Sequence, residues 1–557
     1  MRLLLQRPWL LPVCCLSLPL LVYGRFIVLG DELANADVFL AYRPAHAWLA
    51  EGLRQGRVPL WNPFILGGFP LAFSEYGWFS PLNWIPLLLA GPHAGFYLAV
   101  ACYVALSTAS TYVLGRSWGL PPLPAWLGAA VYGQSLYVVG GAPLLNQGAT
   151  YWTLPATLWL VQRHVAGGHA LAAPLLALAM ALALVGGHPQ LVLLTSFPAA
   201  LAALVLAVTT GRLWRLMPLV LAGLTAAGLS AVRYVPTLPL IEASERSGGL
   251  SFTASAIGSV HPLALLTGML LPSLNVPLLP GPQWSVYVGF LPLLLAGAGA
   301  GQAWRRGGAP RMLTLLGALG LVLALGSFTP LYWLIRYTPL LAYFREPSRF
   351  LLWTVLAVAV LAAFGLDRLA SLRSEFRVPG PGSRVGRELG TRNSELGTRL
   401  WRVAAGAWLA AVVIFGAAQL LLRANTAWLV TTGRMRVMTQ FRSGDYPLSF
   451  YIDSFDAAWR QLLQATNPLH PGLALPLLSI GAGLWWWRWG RGRPRAVVTA
   501  MAVAILPLMA YGQVRLPAIP AAVVREVPAS AAALRPPDGG SSEFRVPGSE
   551  STRNSEP

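Results

Sequence analysis

Charge is what this sequence has least of. Only 11% of its 557 residues are Asp, Glu, Lys or Arg, and 20 are acidic, whereas soluble domains carry about 25% charged residues. That shortage excludes an ordinary soluble domain. Cysteine is nearly absent too: Cys14, Cys15 and Cys102 are the only three, all in apolar runs, which excludes a disulfide framework and a cysteine zinc site. No Walker A loop, Rossmann glycine fingerprint or GxSxG elbow stands in a suitable context, so a soluble nucleotide-binding engine is missing as well. The N-terminus has Arg2 and Arg7 before an apolar run but no convincing small-residue cleavage site, and Leu11-Pro12-Val13-Cys14 is a poor match to a lipid-attachment box. It reads as a retained first helix.

What remains is largely hydrocarbon, with 55% of residues hydrophobic. Runs near the length that spans about 30 Å of lipid lie at 8–29, 94–115, 124–141, 147–162, 168–186, 190–208, 213–233, 284–303, 311–327, 350–367, 403–422, 472–487 and 496–512. The expected fold is therefore all-α, a polytopic integral membrane protein with about 13 transmembrane helices. Ser80 to Leu89 is apolar but short, which suggests a re-entrant or interfacial piece. The net charge of +20 does not point to nucleic acid, because the arginines sit in short clusters between apolar runs. Those clusters fall at nearly every second turn, as the positive-inside rule expects of a cytoplasmic N-terminus and an extracytoplasmic C-terminus. Two polar stretches share Ser-Glu-Phe-Arg-Val-Pro-Gly, at 374–380 and 542–548, without shared flanks. They read as disordered inserts rather than a duplicated unit.

The first long polar interruption, from Gly30 to Pro70, carries the most chemistry. Asp31, Glu32 and Asp37 fall within seven residues. They could be helix-capping acids in a solvated loop. Alternatively, a carboxylate half-buried against apolar walls can act as a general base, and two close carboxylates can hold a divalent cation. Pro44 then opens a helical pattern with Ala45, Trp48, Leu49 and Leu53 on one side and His46, Arg54 and Arg57 largely on the other, as on a membrane-surface helix. Glu75 belongs to the same outer segment. His188, in Gly187-His188-Pro189-Gln190, reads either as a donor to phosphate or sugar or as the tip of a tight turn. Arg345 and Arg349 stand on the outer side against the charge trend. They suit a phosphate clamp or a surface pair with Glu346. Arg233 and Arg246 are weaker candidates of the same kind.

The combination resembles the YfhO-type bacterial membrane proteins, which are related to GT-C glycosyltransferases. The resemblance rests on Gly30-Asp31, Asp37 with Tyr42-Arg43-Pro44, Pro59-Leu60-Trp61-Asn62-Pro63, Gly67-Gly68-Phe69-Pro70, Gly187-His188-Pro189-Gln190, Tyr287-Val288-Gly289 and Phe344-Arg345-Glu346-Pro347-Ser348-Arg349. It covers roughly residues 20 to 370. It implies a bacterial plasma-membrane enzyme that moves a sugar from a polyprenyl-phosphate donor to an extracytoplasmic envelope glycan or lipid acceptor. Asp31 or Asp37 would be the catalytic acid-base group, with Glu75, His188, Arg345, Arg349, Trp61 and Asn62 binding substrate. Metal dependence stays open. The implied layout is a GT-C-like core over 1–371 with the outer loop 31–80, an insert over 372–402, further spans over 403–512 and a disordered or shortened outer tail over 513–557. A lipid or polysaccharide transporter and a non-catalytic envelope assembly protein are the rival readings.

Overall fold

A computed structural model describes residues 10–63, 67–70, 76–244, 247–272, 286–335, 341–375, 384–440, 448–490, 496–516 and 518–521. In chain order its helices are α1 (Leu10–Val28), α2 (Arg43–Arg54), α3 (Pro81–Ser117), α4 (Pro122–Gln134), α5 (Leu136–Gly141), α6 (Leu145–Tyr151), α7 (Thr153–Val165), α8 (Ala172–Gly186), α9 (Pro189–Thr209) and α10 (Leu216–Glu242). They continue as α11 (Phe252–Ser255), α12 (Pro262–Leu270), α13 (Phe290–Arg306), α14 (Gly308–Ala324), α15 (Pro330–Ile335), α16 (Leu351–Glu375), α17 (Arg384–Ala424), α18 (Thr426–Gln440), α19 (Leu448–Thr466), α20 (Pro471–Trp485) and α21 (Ala496–Arg515). The strands are two-residue pieces: β1 (Glu32–Leu33), β2 (Trp61–Asn62), β3 (Phe69–Pro70) and β4 (Ala518–Ile519).

The chain is a helical, multi-pass membrane protein. Each of the thirteen apolar runs overlaps a helix, because a backbone in lipid must satisfy its own hydrogen bonds. Five helices are long and apolar enough to cross a membrane, over 81–117, 189–209, 213–242, 347–369 and 401–424, and four shorter apolar helices accompany them. The count of thirteen crossings is therefore not fixed. The apolar piece from Ser80 to Leu89 is a short helical segment of its own at the start of α3. Gly91, at φ 78 and ψ −179, breaks the helix before Pro92. The two parts fold against each other, so that a Cβ on Gly95 would stand 2.4 Å from the Pro86 carbonyl oxygen. The polar stretch from Arg384 to Arg402 is likewise helical, since a helix already nucleated by the apolar span propagates cheaply into its leader.

α16 is the centre of the bundle. It packs on α13, α14 and α4, and Leu351, Leu352, Leu356, Ala359, Ala362 and Phe364 are completely buried. Small residues let these helices approach closely: a Cβ on Gly365 would stand 1.9 Å from the Leu295 carbonyl oxygen. All 40 basic residues other than histidine are arginine, and the structure gives many of them one task. At one end of the bundle Arg116, Arg212, Arg215, Arg306 and Arg311 donate to carbonyls near helix ends, among them those of Leu120, Ala166, Val165, Trp118 and Trp304. The last carbonyls of a helix lack intrahelical partners and carry its negative dipole end. A forked guanidinium can satisfy more than one of them.

At the opposite end β1 pairs antiparallel with β4, Glu32 opposite Ile519 and Leu33 opposite Ala518. Gln513 Nε2 also donates to the Leu21 and Val22 carbonyls of α1, 2.8 Å each. The segment after the last helix thus begins against the first loop rather than trailing away from it. From 522 onward the chain lies outside the described residues.

Candidate functional site

The first loop is folded onto the bundle by its charged residues. Gly30 takes φ 76, a turn other residues rarely make, and it returns the chain so that Asp31 meets Arg25. Arg25 Nε and Nη2 both donate to Asp31 Oδ2, at 3.0 and 2.8 Å. Asp31 is only 8% exposed. Its Oδ1 accepts no hydrogen bond from the described residues, so half of this buried carboxylate is uncommitted.

Glu32 is a different case. Arg43 grips both its oxygens, with Nε at 3.1 Å from each and Nη2 at 2.8 Å from Oε1. Tyr97 donates to Oε2 at 2.7 Å, and His93 Nδ1 stands 3.1 Å from Oε1. Burial alone would raise the Glu32 pKa. The hydrogen bonds from His93, Arg43 and Tyr97, together with the Arg43 charge, instead bring it down from 4.5 to about 2. Glu32 is therefore a fixed anion that docks the loop, not a base. Arg43 also donates to the Pro92 carbonyl and lies over the Phe96 and Tyr97 rings.

Asp37 does not join this group. It is exposed, and as the residue before the π-turn Val38–Tyr42 it makes no side-chain cap. In α2 one residue departs from its expected face. The helix packs on α3, and His46 is on the buried face with Ala45, Leu49 and Ala50. Complete burial pushes the His46 pKa down from 6.5 to about 4. Beyond α2, β2 and β3 form a hairpin in which Trp61 is exposed, with its ring over Gly68, while Asn62 is buried. Glu75 and Arg246 lie outside the described residues.

A second polar group meets the same end of the bundle. Tyr42 donates to Asn146 Oδ1 at 2.9 Å, and the Asn146 carbonyl accepts the His188 backbone N–H at 3.0 Å. His188 Nδ1 in turn caps α9, accepting the Gln190 N–H at 3.2 Å. His261 and His470 do the same at α12 and α20, each before a proline and each at 3.2 Å from the N–H two residues on. The ring of His188 thus works as a helix cap rather than as a substrate donor through Nδ1. Replacing His188 by Ala is expected to cost about 0.5–2 kcal/mol, whereas Asn, which caps well, should restore most of it. Thermal midpoints of the two variants in detergent check this. Equal midpoints would remove the cap from the account.

The two outer arginines separate. Arg345 is exposed. Arg349 is 8% exposed, held by Gln190 Oε1 at 2.6 Å and Glu346 Oε2 at 3.1 Å, with the Tyr137 hydroxyl on its carbonyl. Its Nε and the neighbouring Ser348 Oγ are buried without a hydrogen-bond partner among the described residues. A buried donor left unmet costs about 1–3 kcal/mol. Glu346, just before, has φ 65, the one positive φ outside glycine among the described residues. Such strain, of order 1–3 kcal/mol, is a mark of functional segments. Arg233, by contrast, is spent on the Leu184 and Gly187 carbonyls that end α8.

The sequence pattern pointed to Asp31 and Arg349 but not to Glu32 as the tightly held acid, nor to Arg43, His93, Tyr97, Gln190 and Tyr137.

The course of the helices is similar to that in two crystal structures of ArnT from Cupriavidus metallidurans, one bound to undecaprenyl phosphate and one in the apo state. Each is 15% identical, with a TM-score of 0.44, over 91% of this chain and 77% of theirs. No protein-family model matches the sequence, so the likeness to YfhO-type proteins is one of motifs. No curated protein matches it either.

Proposed function

We propose that this chain is a membrane glycosyltransferase that moves a sugar from a polyprenyl-phosphate donor to an acceptor hydroxyl at the β1–β4 end of the bundle. The observation that carries the reading is the Asp31 carboxylate, buried and anchored through Oδ2 alone. An acceptor hydroxyl can give its proton to Oδ1 while its oxygen bonds to the anomeric carbon of the donor. The bond from that carbon to the phosphate oxygen then breaks, and polyprenyl phosphate leaves with the charge. Arg25 fixes the carboxylate through Oδ2. Arg349, with Nε and Ser348 Oγ unmet, is the cation suited to the departing phosphate. A lipid-borne donor agrees with a sequence that has no nucleotide-binding motif.

The test is transfer of labelled sugar from polyprenyl-phosphate donors by the purified protein in vesicles. Arg349→Lys keeps the charge but loses the fork, and a lost hydrogen bond to a charged group is worth about 1.5–3 kcal/mol. Donor KM should rise roughly 10- to 100-fold, with each 1.4 kcal/mol a factor of ten. Unchanged donor use in that variant would remove Arg349 from the site. Movement of the lipid across the bilayer without transfer would favour the transporter reading instead.

A further inference from the structure

α18 and α19 form a hairpin tied at one end to the membrane-spanning α17 and at the other to the short apolar helix α20. α17, whose apolar part over 401–424 is almost wholly unburied by protein, ends at Ala424, and α18 begins at Thr426. α19 ends at Thr466, and the apolar α20 begins at Pro471. α20 packs on α21, which leads into β4, so the hairpin stands at the β1–β4 end of the bundle. Its root therefore stands at the lipid boundary where α17 ends.

The hairpin is held internally by a close crossing. A Cβ on Gly433 would stand 2.1 Å from the Phe455 ring, and Arg434 forms a bidentate pair with Asp456. The other face of α18 is left uncovered by the described residues. Trp428, Met435 and Met438 are 66%, 53% and 47% exposed, and they fall within about 80° of arc at 3.6 residues per turn. Arg434 and Arg436 flank this stripe on either side. Arg434 is committed to Asp456, whereas the Arg436 guanidinium has no partner among the described residues. Leu469, at the foot of the hairpin beside α20, is 86% exposed.

We propose that α18 is an interfacial helix that rests on the bilayer at the β1–β4 end, with the Trp428–Met435–Met438 stripe in the acyl boundary and Arg436 at the lipid phosphates. The occupant of the stripe is lipid because the surface continues from the lipid-facing side of α17 across a single residue, Asn425. An apolar stripe flanked by cations, with a Trp near its start, is the composition that such a position selects. The inference does not depend on sugar transfer.

Nitroxide labels in nanodiscs test it. In a chain with Cys14, Cys15 and Cys102 replaced by Ser, a label is placed at Met435→Cys, and in a second protein at Thr431→Cys on the same side of the helix. Asp453→Cys on α19, an exposed acid, gives the aqueous reference. Collisions with oxygen relative to a water-soluble nickel complex should be several-fold higher at 435 and 431 than at 453. Nickel accessibility at 435 and 431 equal to that at 453 would overturn the proposal, leaving the stripe to a protein partner or to water.

Discussion

Asp31→Asn is expected to lower sugar transfer by about 10²–10⁴, the usual cost of a lost general base, while the protein still inserts and folds. Asparagine is nearly isosteric and can keep one hydrogen bond from Arg25 through its oxygen, but it cannot take a proton at Oδ1. The Arg25 side of the contact is 40% exposed, so losing its charge term should cost little stability, about 0–1 kcal/mol. Asp37→Asn is the internal control. Asp37 is exposed and makes no cap, so that variant should behave as wild type. The measurement is the single-turnover rate in vesicles beside the thermal midpoint. Full transfer by Asp31→Asn would take the base out of this loop. Loss of transfer in Asp37→Asn alone would move the chemistry to a residue the structure leaves at the surface.

The largest effect on stability should come from the acid next door. Glu32→Gln leaves Arg43 buried without its counter-charge, and breaking a buried pair in this way costs about 3–5 kcal/mol. Arg43→Lys should cost less, since it keeps the charge but loses the two-pronged grip. The pH dependence has a definite sign. Glu32 is depressed from 4.5 to about 2, so its contribution is fully present above pH 4.5 and is lost as the pH falls toward 2. The gap in thermal midpoint between wild type and Glu32→Gln should be constant from neutral pH to about pH 5 and shrink below pH 4.5. A gap that already closes near pH 6 would mean that another group, not Glu32, carries the effect.

The helices were readable because apolar runs and their lengths are local properties. The selection among Asp31, Glu32 and Asp37 was not. Three acids in seven residues have no internal mark of which one turns inward, and the decision is made by Arg43, His93 and Tyr97, the last 65 residues away from Glu32. Arg345 and Arg349 look alike in sequence, yet the left-handed turn at Glu346 sends the chain into a short 3₁₀ turn, Pro347–Phe350, that buries only the second. The His188 cap was in principle legible. His-Pro occurs at 188, 261 and 470, and each time proline opens a helix that its histidine caps. Read together, the three suggest a cap; read alone, His188 suggested a ligand contact. The pairing of residues 32 and 519 has no local signal at all.

That pairing has a consequence for how the protein is made. The first loop leaves the ribosome nearly five hundred residues before the strand that closes against it, so during synthesis Glu32 and Leu33 must wait with one edge unpaired. Arg25, Arg43 and Tyr97, all made early, can hold the loop in the meantime. Completion of the site then coincides with insertion of the last helix. A chain stalled before Ala518 would carry its first loop with the Glu32–Leu33 edge still open.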